Sequence, residues 1–212
     1  MILGLIILSA STLLKAEGKK KTPASSKTKK VNTAAAPAPN PGDDNKEVHW
    51  ITSIDELQAK MQQNPKKVYV DIYTDWCGWC KRMDATTFSN PDLIRYMNTN
   101  FYSVNFNDER QDVIHYLGKE YHFEPQMRAH TWAVDLMRGN NPNVQMSYPT
   151  AVIMSENFQN PNPIPGYMTV PQIEVLLTYF GDNAYKHVRW EDYQKTYKPN
   201  WRVASDDMGA AP

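Results

Sequence analysis

The sequence predicts an α/β fold, because strand-like and helix-like patterns alternate along the chain after residue 46. Apolar runs of strand length occupy residues 67–74 and Thr150–Met154. A helix is predicted over residues 171–180, where apolar side chains recur at positions i, i+3, i+4 and i+7 starting from Ile173. A chain of 212 residues suffices for one such domain with a tail.

Capping residues mark where two further helices begin. Ser53 and Glu56 form a capping box, and Asn90 with Pro91 places an N-cap before a proline at the first helical position. The other predicted elements, in chain order, are a strand at 49–51, helices at 53–63, 77–85 and 90–97, a strand at 101–107, helices at 108–121 and 128–138, and a strand at 164–167 that forms a hairpin with Thr150–Met154.

The only two cysteines, Cys77 and Cys80, are separated by Gly78 and Trp79. They lie between the strand at 67–74 and the helix that follows it. Cys77 therefore meets the unpaired N–H groups and the positive dipole end of the helix, which favour a thiolate. Cys80 lies one turn further on, near enough to close a disulfide with Cys77. The pair is therefore predicted to cycle between dithiol and disulfide and to pass two electrons per cycle.

Two other roles for the cysteine pair are open. A structural zinc site normally takes four ligands, but the sequence offers no second pair and no nearby histidine. A purely structural disulfide across so short a loop would constrain the unfolded chain little. A c-type haem is not expected, because Lys81 rather than a histidine follows Cys80. No metal site is expected, since ligand spacing is also lacking at His115, His122, His130 and His187.

A carboxylate in an apolar strand needs a reason, and Asp71 lies in the strand six residues before Cys77. Together with the run from Trp76 to Lys81, this residue makes the chain resemble the thioredoxin family. The resemblance implies a thioredoxin fold: a central mixed β-sheet flanked by helices, here with an insert before a cis-proline and a C-terminal helical extension. It also implies that Asp71 takes up and returns the proton of Cys80. The alternative is that Asp71 faces solvent.

Residues 80–92, which include Thr87-Phe88-Ser89-Asn90-Pro91, narrow this resemblance. They are similar to periplasmic thioredoxin-like proteins, among them the C-terminal domain of the transmembrane electron carrier of the Dsb system, and to exported thioredoxin-like proteins of Bacteroidetes-type bacteria. The resemblance implies protein thiols and disulfides as substrates and a membrane electron-transfer partner. The chain departs from thioredoxin in its Gly-Trp dipeptide and in having Ala85 where thioredoxin has a helix proline.

The Tyr148–Pro149 sequence precedes the strand Thr150–Met154. In the family a cis-proline stands here against the cysteine pair, which implies a cis Pro149 and a substrate-docking backbone at Tyr148. The alternative is a trans proline that opens an edge strand. The expected site therefore consists of catalytic Cys77, Cys80 and Asp71, with Cys77 exposed as the nucleophile and Cys80 resolving. Substrate binding is expected at Trp76, Gly78, Trp79, Tyr148 and Pro149.

The N-terminal residues do not have the composition of a core. Residues 1–16 have the short apolar run of a signal peptide, although no basic residue precedes it. Residues 17–46 form a Lys/Pro/Ala-rich linker that is expected to be disordered, either a soluble tether or a segment that touches anionic lipid. A thioredoxin-like domain is expected at 47–201 and a disordered tail at 202–212. The protein is therefore expected in the periplasm, near the membrane if the signal is retained.

Two segments exceed a minimal thioredoxin fold. Residues 122–147 either shape substrate choice or cover a sheet edge. The aromatic residues of 184–201 are expected to pack against the domain, with partner docking as the alternative. The formal net charge is zero, but a basic tail balances an acidic domain. Nucleic-acid binding is not expected, because the basic run lacks interleaved aromatics. A monomer is expected.

The sequence therefore predicts an exported thiol-disulfide oxidoreductase that needs no cofactor beyond its own Cys77–Cys80 disulfide. A disulfide reductase or electron-transfer protein is favoured. A disulfide oxidase or isomerase is one alternative. A non-catalytic module that binds unfolded chains is another, although it would need neither both cysteines nor Asp71.

Overall fold

The structure is a computed structural model that describes residues 46–203 except 140, 142 and 144. The predicted signal peptide, almost all of the linker and most of the predicted tail lie outside these residues. Among the residues described, no helix combines the length and the apolar character needed to cross a membrane.

The described chain contains both strands and helices along its whole length. The elements are β1 (Trp50–Ile51), α1 (Ile54–Gln63), β2 (Lys67–Tyr73), α2 (Gly78–Thr86), α3 (Pro91–Asn100), β3 (Phe101–Asn107), β4 (Ile114–Tyr116), β5 (Lys119–Tyr121), β6 (Phe123–Glu124), β7 (Ala129–His130), α4 (Thr131–Arg138), β8 (Thr150–Met154), β9 (Asn162–Pro165), α5 (Val170–Gly181), a short 3₁₀ helix (Ala184–Lys186) and α6 (Trp190–Thr196).

Five strands form one mixed sheet in the order β1-β3-β2-β8-β9. The central strand β2 is parallel to β3 and antiparallel to β8, so that Val70 lies opposite both Val104 and Val152. Strand β9 forms the edge and starts two residues earlier than predicted; its Pro163 pairs with Val152 and its Pro165 with Thr150. The predicted fold class, a mixed sheet flanked by helices, is confirmed.

Both faces of the sheet are covered, which explains why β2 is buried from Lys67 to Ile72. Val68, Val70 and Ile72 face a core built with α1 and α4. Tyr69, on the opposite face, joins a second core built with α2, α3 and α5. Successive side chains of a strand point to opposite faces, so Asp71 lies on the same face as Tyr69.

The predicted capping signals work as expected. The Ser53 hydroxyl accepts a hydrogen bond from the Glu56 N–H at 3.3 Å and begins α1. The Asn90 side-chain oxygen accepts hydrogen bonds from the N–H groups of Asp92 and Leu93, at 3.0 and 3.1 Å, and begins α3. Each cap satisfies backbone donors that the first helical turn leaves unpaired.

The helix predicted at 108–121 is wrong. The segment contains the β4–β5 hairpin, whose turn residues Leu117 and Gly118 both have positive φ, 51° and 78°. Ile114 and Tyr116 are buried while His115 between them is exposed, so the burial pattern has the two-residue period of a strand. Gln58 of α1 holds the hairpin, because its side chain donates to the His115 carbonyl and accepts from the Leu117 N–H.

This difference also relocates the insert that was predicted at 122–147. The added structure is the two hairpins, β4–β5 and β6–β7, which lie between β3 and α4. Helix α4 begins at Thr131 rather than at residue 128. Its side chains Trp132 and Met137 are buried in the core that the sheet forms with α1. Helix α4 is therefore part of the connection from β3 to β8, packed on the sheet.

The C-terminal extension packs against the domain, as expected. Glu174 of α5 is buried, and its carboxylate accepts hydrogen bonds from the Tyr197 hydroxyl and from the N–H groups of Asn200 and Trp201. At the end of the extension, Arg202 pairs with Asp92 at 2.9 Å. The hydrogen bonds to Arg202 hold the pKa of Asp92 well below its usual range.

Candidate active site

Cys77 and Cys80 form a disulfide at the start of α2, with their Cα atoms 5.3 Å apart. Cys77 is the N-cap of this helix, and its sulfur accepts a hydrogen bond from the Cys80 N–H at 3.0 Å. The donor that a helix start leaves unpaired thus points at this sulfur, where it would stabilise a thiolate. The expected exposure of Cys77 is not found in the disulfide form: Cys77 is 4% exposed and Cys80 3%.

Asp71 is 2% exposed, so the alternative that it faces solvent is wrong. One carboxyl oxygen has a long contact, 3.5 Å, with the Asn105 amide, and the other has no hydrogen-bond partner among the described residues. Burial, and secondarily the negative charge of Asp84, raises the pKa of Asp71 to about 8. A carboxyl with this pKa can hold or release a proton near neutral pH.

Asp84 is a site residue that the sequence reasoning missed. It lies on α2 four residues after Cys80, a spacing that places two side chains on the same face of a helix. Asp84 is largely exposed as a residue, yet partial burial of its carboxyl raises its pKa. The spacing from Cys80 was the available signal, but its proximity to Asp71 follows only from the packing of α2 on the sheet.

The Tyr148–Pro149 peptide bond is cis, as the resemblance implied, and the trans alternative is wrong. Pro149 is buried before β8, and its carbonyl accepts a hydrogen bond from the Gly166 N–H at 2.8 Å. The Tyr148 ring meets the Trp76 ring edge to face, with centroids 5.6 Å apart. The cis-proline loop and the cysteine loop therefore lie together.

Two tryptophans beside the cysteines are open to solvent: Trp76 is 64% exposed and Trp79 39%. Trp79 contacts Tyr167 at a centroid distance of 5.5 Å, and the Arg82 guanidinium lies over both rings. Tyr167 and Arg82 were not predicted, because Tyr167 reaches the site only through the β8–β9 hairpin.

A Cβ added to Gly78 would meet nothing within 4 Å. Packing within this chain therefore does not require glycine between the cysteines. Among the described residues, no cluster of three or more His, Cys, Asp or Glu side chains could hold a metal ion.

A disulfide at a helix start, a buried carboxyl in the preceding strand and a cis-proline loop beside it define a thioredoxin-like protein with a redox-type cysteine pair. Residues 42–136 match a family model described as "Thioredox_DsbH: Protein of unknown function, DUF255". The match covers less than half of the chain, and over these residues the chain is similar to thioredoxin-like proteins.

Short segments of the chain are similar to proteins named "Thiol:disulfide interchange protein DsbD". The Haemophilus ducreyi protein is 40% identical over 50 residues, which cover 23% of this chain and 9% of that protein. The Escherichia coli K12 protein is 43% identical over 44 residues, which cover 20% of this chain and 8% of that protein. The chain therefore spans less than a tenth of the length of these curated relatives.

Solved structures with a similar fold include a thioredoxin-fold protein from Helicobacter pylori. It is 22% identical with a TM-score of 0.44, and the similarity covers 72% of this chain and 84% of that one. The oxidised C-terminal domain of Neisseria meningitidis DsbD is 18% identical with a TM-score of 0.38, covering 63% and 98% respectively. At these scores neither similarity bears on the chemistry of the site.

Proposed function

We propose that this protein is an exported thiol-disulfide oxidoreductase that reduces disulfides in other proteins. The hydrogen bond from the Cys80 N–H to the Cys77 sulfur carries this proposal. A purely structural disulfide needs no donor aimed at one sulfur, whereas a nucleophilic cysteine gains from one, since it stabilises the thiolate.

In the proposed reaction the Cys77 thiolate attacks a substrate disulfide. A bond forms between the Cys77 sulfur and one substrate sulfur, and the other substrate sulfur leaves as a thiolate that takes up a proton. Cys80 then attacks the Cys77 sulfur and releases the second substrate thiol. Two electrons pass to the substrate, and the Cys77–Cys80 disulfide remains.

Asp71 serves as the proton acceptor for Cys80 in the resolving step. Its pKa of about 8 lies near that of a thiol, so transfer between the two groups involves little change in free energy. Trp76 and Trp79 provide apolar surface on either side of Cys77, and the backbone at Tyr148 and Pro149 docks an extended substrate segment. Gly78 leaves the surface between the cysteines open to that segment.

One carboxyl favours the reducing direction. Asp84 follows Cys80 by one turn, whereas a pKa of about 8 leaves the buried Asp71 mostly protonated and uncharged at neutral pH. Negative charge near a thiol disfavours the thiolate, and a less stabilised dithiol form gives up its electrons more readily. The hydrogen bond to the Cys77 sulfur stabilises a thiolate and so favours the oxidising direction. The reduction potential must therefore be measured.

The source of electrons is proposed to be a membrane protein. The apolar N-terminal run indicates export, and the relatives are named thiol:disulfide interchange proteins. An oxidising compartment has no thiol buffer to reduce the disulfide again, so a membrane partner is required. We propose that the protein works in the periplasm as a monomer, with no cofactor beyond its disulfide, on protein thiols and disulfides rather than nucleic acid.

Equilibration of the full chain with glutathione buffers, followed by tryptophan fluorescence, tests the direction. A reduction potential of about −270 mV supports a reductase, and one of about −120 mV supports an oxidase. Insulin reduction should be lost in both Cys77→Ser and Cys80→Ser, and only Cys80→Ser should accumulate a mixed disulfide. A wild-type protein that leaves insulin disulfides intact but binds unfolded chains would indicate the non-catalytic module instead.

A further inference from the structure

The phenol of Tyr148 is anchored by a carboxylate from outside the predicted site. Its hydroxyl donates a hydrogen bond to one carboxyl oxygen of Asp108 at 2.5 Å. Asp108 directly follows β3 at the start of the hairpin insert and is fully buried. The hydrogen bond therefore connects the insert to the residue that precedes the cis-proline.

Asp108 is itself held in place on two sides. Its backbone N–H donates to the Tyr73 carbonyl at 2.9 Å and continues the pairing of β2 with β3. Its second carboxyl oxygen accepts from the His130 N–H at 2.8 Å, and its carbonyl accepts from the same group. A carboxylate fixed by the sheet and by the start of α4 has little freedom to follow a moving tyrosine.

The Tyr148 ring also contacts the loop that carries the cysteines. Trp76 meets this ring edge to face, is largely exposed and directly precedes Cys77. The contacts thus run in one line from Asp108 through Tyr148 to Trp76. Loss of the phenol hydrogen bond would free both the ring that supports Trp76 and the backbone that leads into Pro149.

We propose that Asp108 is a positioning residue for protein substrates. By holding the Tyr148 phenol, Asp108 presets the Tyr148 backbone and the Trp76 ring for an extended polypeptide segment that carries a disulfide. This inference rests on the proposed function and adds the insert to the docking surface. Preset contacts lower the ordering cost of binding, so the effect should fall on substrate affinity and spare a small disulfide that does not span the groove.

The structure supplies a matched control. The Tyr96 hydroxyl donates to Asp182 at 2.6 Å, which is a second tyrosine–aspartate hydrogen bond. It joins α3 to the C-terminal end of α5 and contacts none of the residues of the proposed site. Tyr96→Phe therefore removes a bond of the same kind, and any general loss of stability can be compared between the two variants.

The test uses the full reduced chain with insulin and with 5,5′-dithiobis(2-nitrobenzoate) as a small disulfide. For Tyr148→Phe, KM for insulin should rise about fivefold to tenfold, as expected for the loss of one typical hydrogen bond. kcat should change much less, so the ratio of kcat/KM for insulin to that for the small disulfide falls by the same factor. In Tyr96→Phe this ratio should stay at the wild-type value.

Asp108→Asn should lower the same ratio, and the double variant should be no worse than the more affected single variant, because both act through one contact. Additive effects would overturn the inference. An unchanged KM for insulin in Tyr148→Phe would also overturn it, and this measurement does not depend on whether Asp108→Asn folds. An equal fall in Tyr96→Phe would show a general structural effect and also overturn it. A wild-type protein that reduces neither disulfide overturns the proposed function and this inference together.

Discussion

Replacing Asp71 with asparagine should stabilise the oxidised protein, and the gain should grow with pH. The folded pKa of Asp71 is about 8, whereas an unfolded aspartate has a pKa of about 3.9. Between these values the unfolded chain has lost a proton that the folded protein retains. The free energy of unfolding of the wild type therefore falls as pH rises through this range and levels off above about pH 8.

The size of the effect follows from the separation of the two pKa values. Each unit corresponds to about 1.4 kcal/mol, so Asp71 should cost about 4 kcal/mol at pH 7 and only about 1.5 kcal/mol at pH 5. Asparagine does not ionise and has nearly the same shape, so Asp71→Asn should recover most of this difference. In single-turnover kinetics the same variant should slow resolution by Cys80 much more than the initial attack by Cys77.

Urea unfolding of the oxidised full chain at pH 5, 6, 7 and 8 measures the effect. The difference in the free energy of unfolding between Asp71→Asn and wild type should rise steadily over this series. Asp55→Asn, which removes an exposed carboxylate from the first turn of α1, controls for the loss of one charge. A difference that is constant with pH would refute the reasoning, because the carboxyl would then titrate alike in both states.

Three further predictions concern other parts of the chain. Brief iodoacetamide treatment of the reduced protein should label Cys77 ahead of Cys80, and mass spectrometry showing the reverse would contradict the assigned nucleophile. Glu174→Gln should lower the free energy of unfolding by about 1–3 kcal/mol and loosen Trp201 in fluorescence, because it removes a buried carboxylate that accepts hydrogen bonds from the Asn200 and Trp201 N–H groups; unchanged melts would show that the extension holds without them. A chain that begins at Glu47 should reduce insulin as well as the full chain, and a large loss would show that the preceding residues contact the domain.

Local signals were sufficient to predict most of the fold. The caps at Ser53 and Asn90 are read from a few adjacent residues, and the helix at Cys77 follows from a strand that ends just before it. The helix predicted at 108–121 failed because its pattern fits two periods. The hairpin that forms instead depends on Gln58, which lies more than fifty residues away in sequence.

The site was predicted only where residues are close in sequence or matched a family pattern. Cys77, Cys80 and Asp71 fall within ten residues of one another, and Pro149 came from the resemblance. Asp84, Asp108 and Tyr167 were missed because their roles arise from packing between elements that are distant in sequence. A polar side chain such as Asp108, at the start of a segment predicted to be helical, carries no sign of the tyrosine that it will meet.

The prolines of β9 have a consequence for a protein proposed to handle unfolded chains. Such chains readily add to the free edge of a sheet, and that pairing can lead to aggregation. Strand β9 contains Pro163 and Pro165, which lack the N–H needed to extend the ladder, and the opposite edge strand, β1, has only two residues. Neither margin of the sheet offers a long template, so an incoming polypeptide is left to engage the groove at the cysteines rather than polymerise along the sheet.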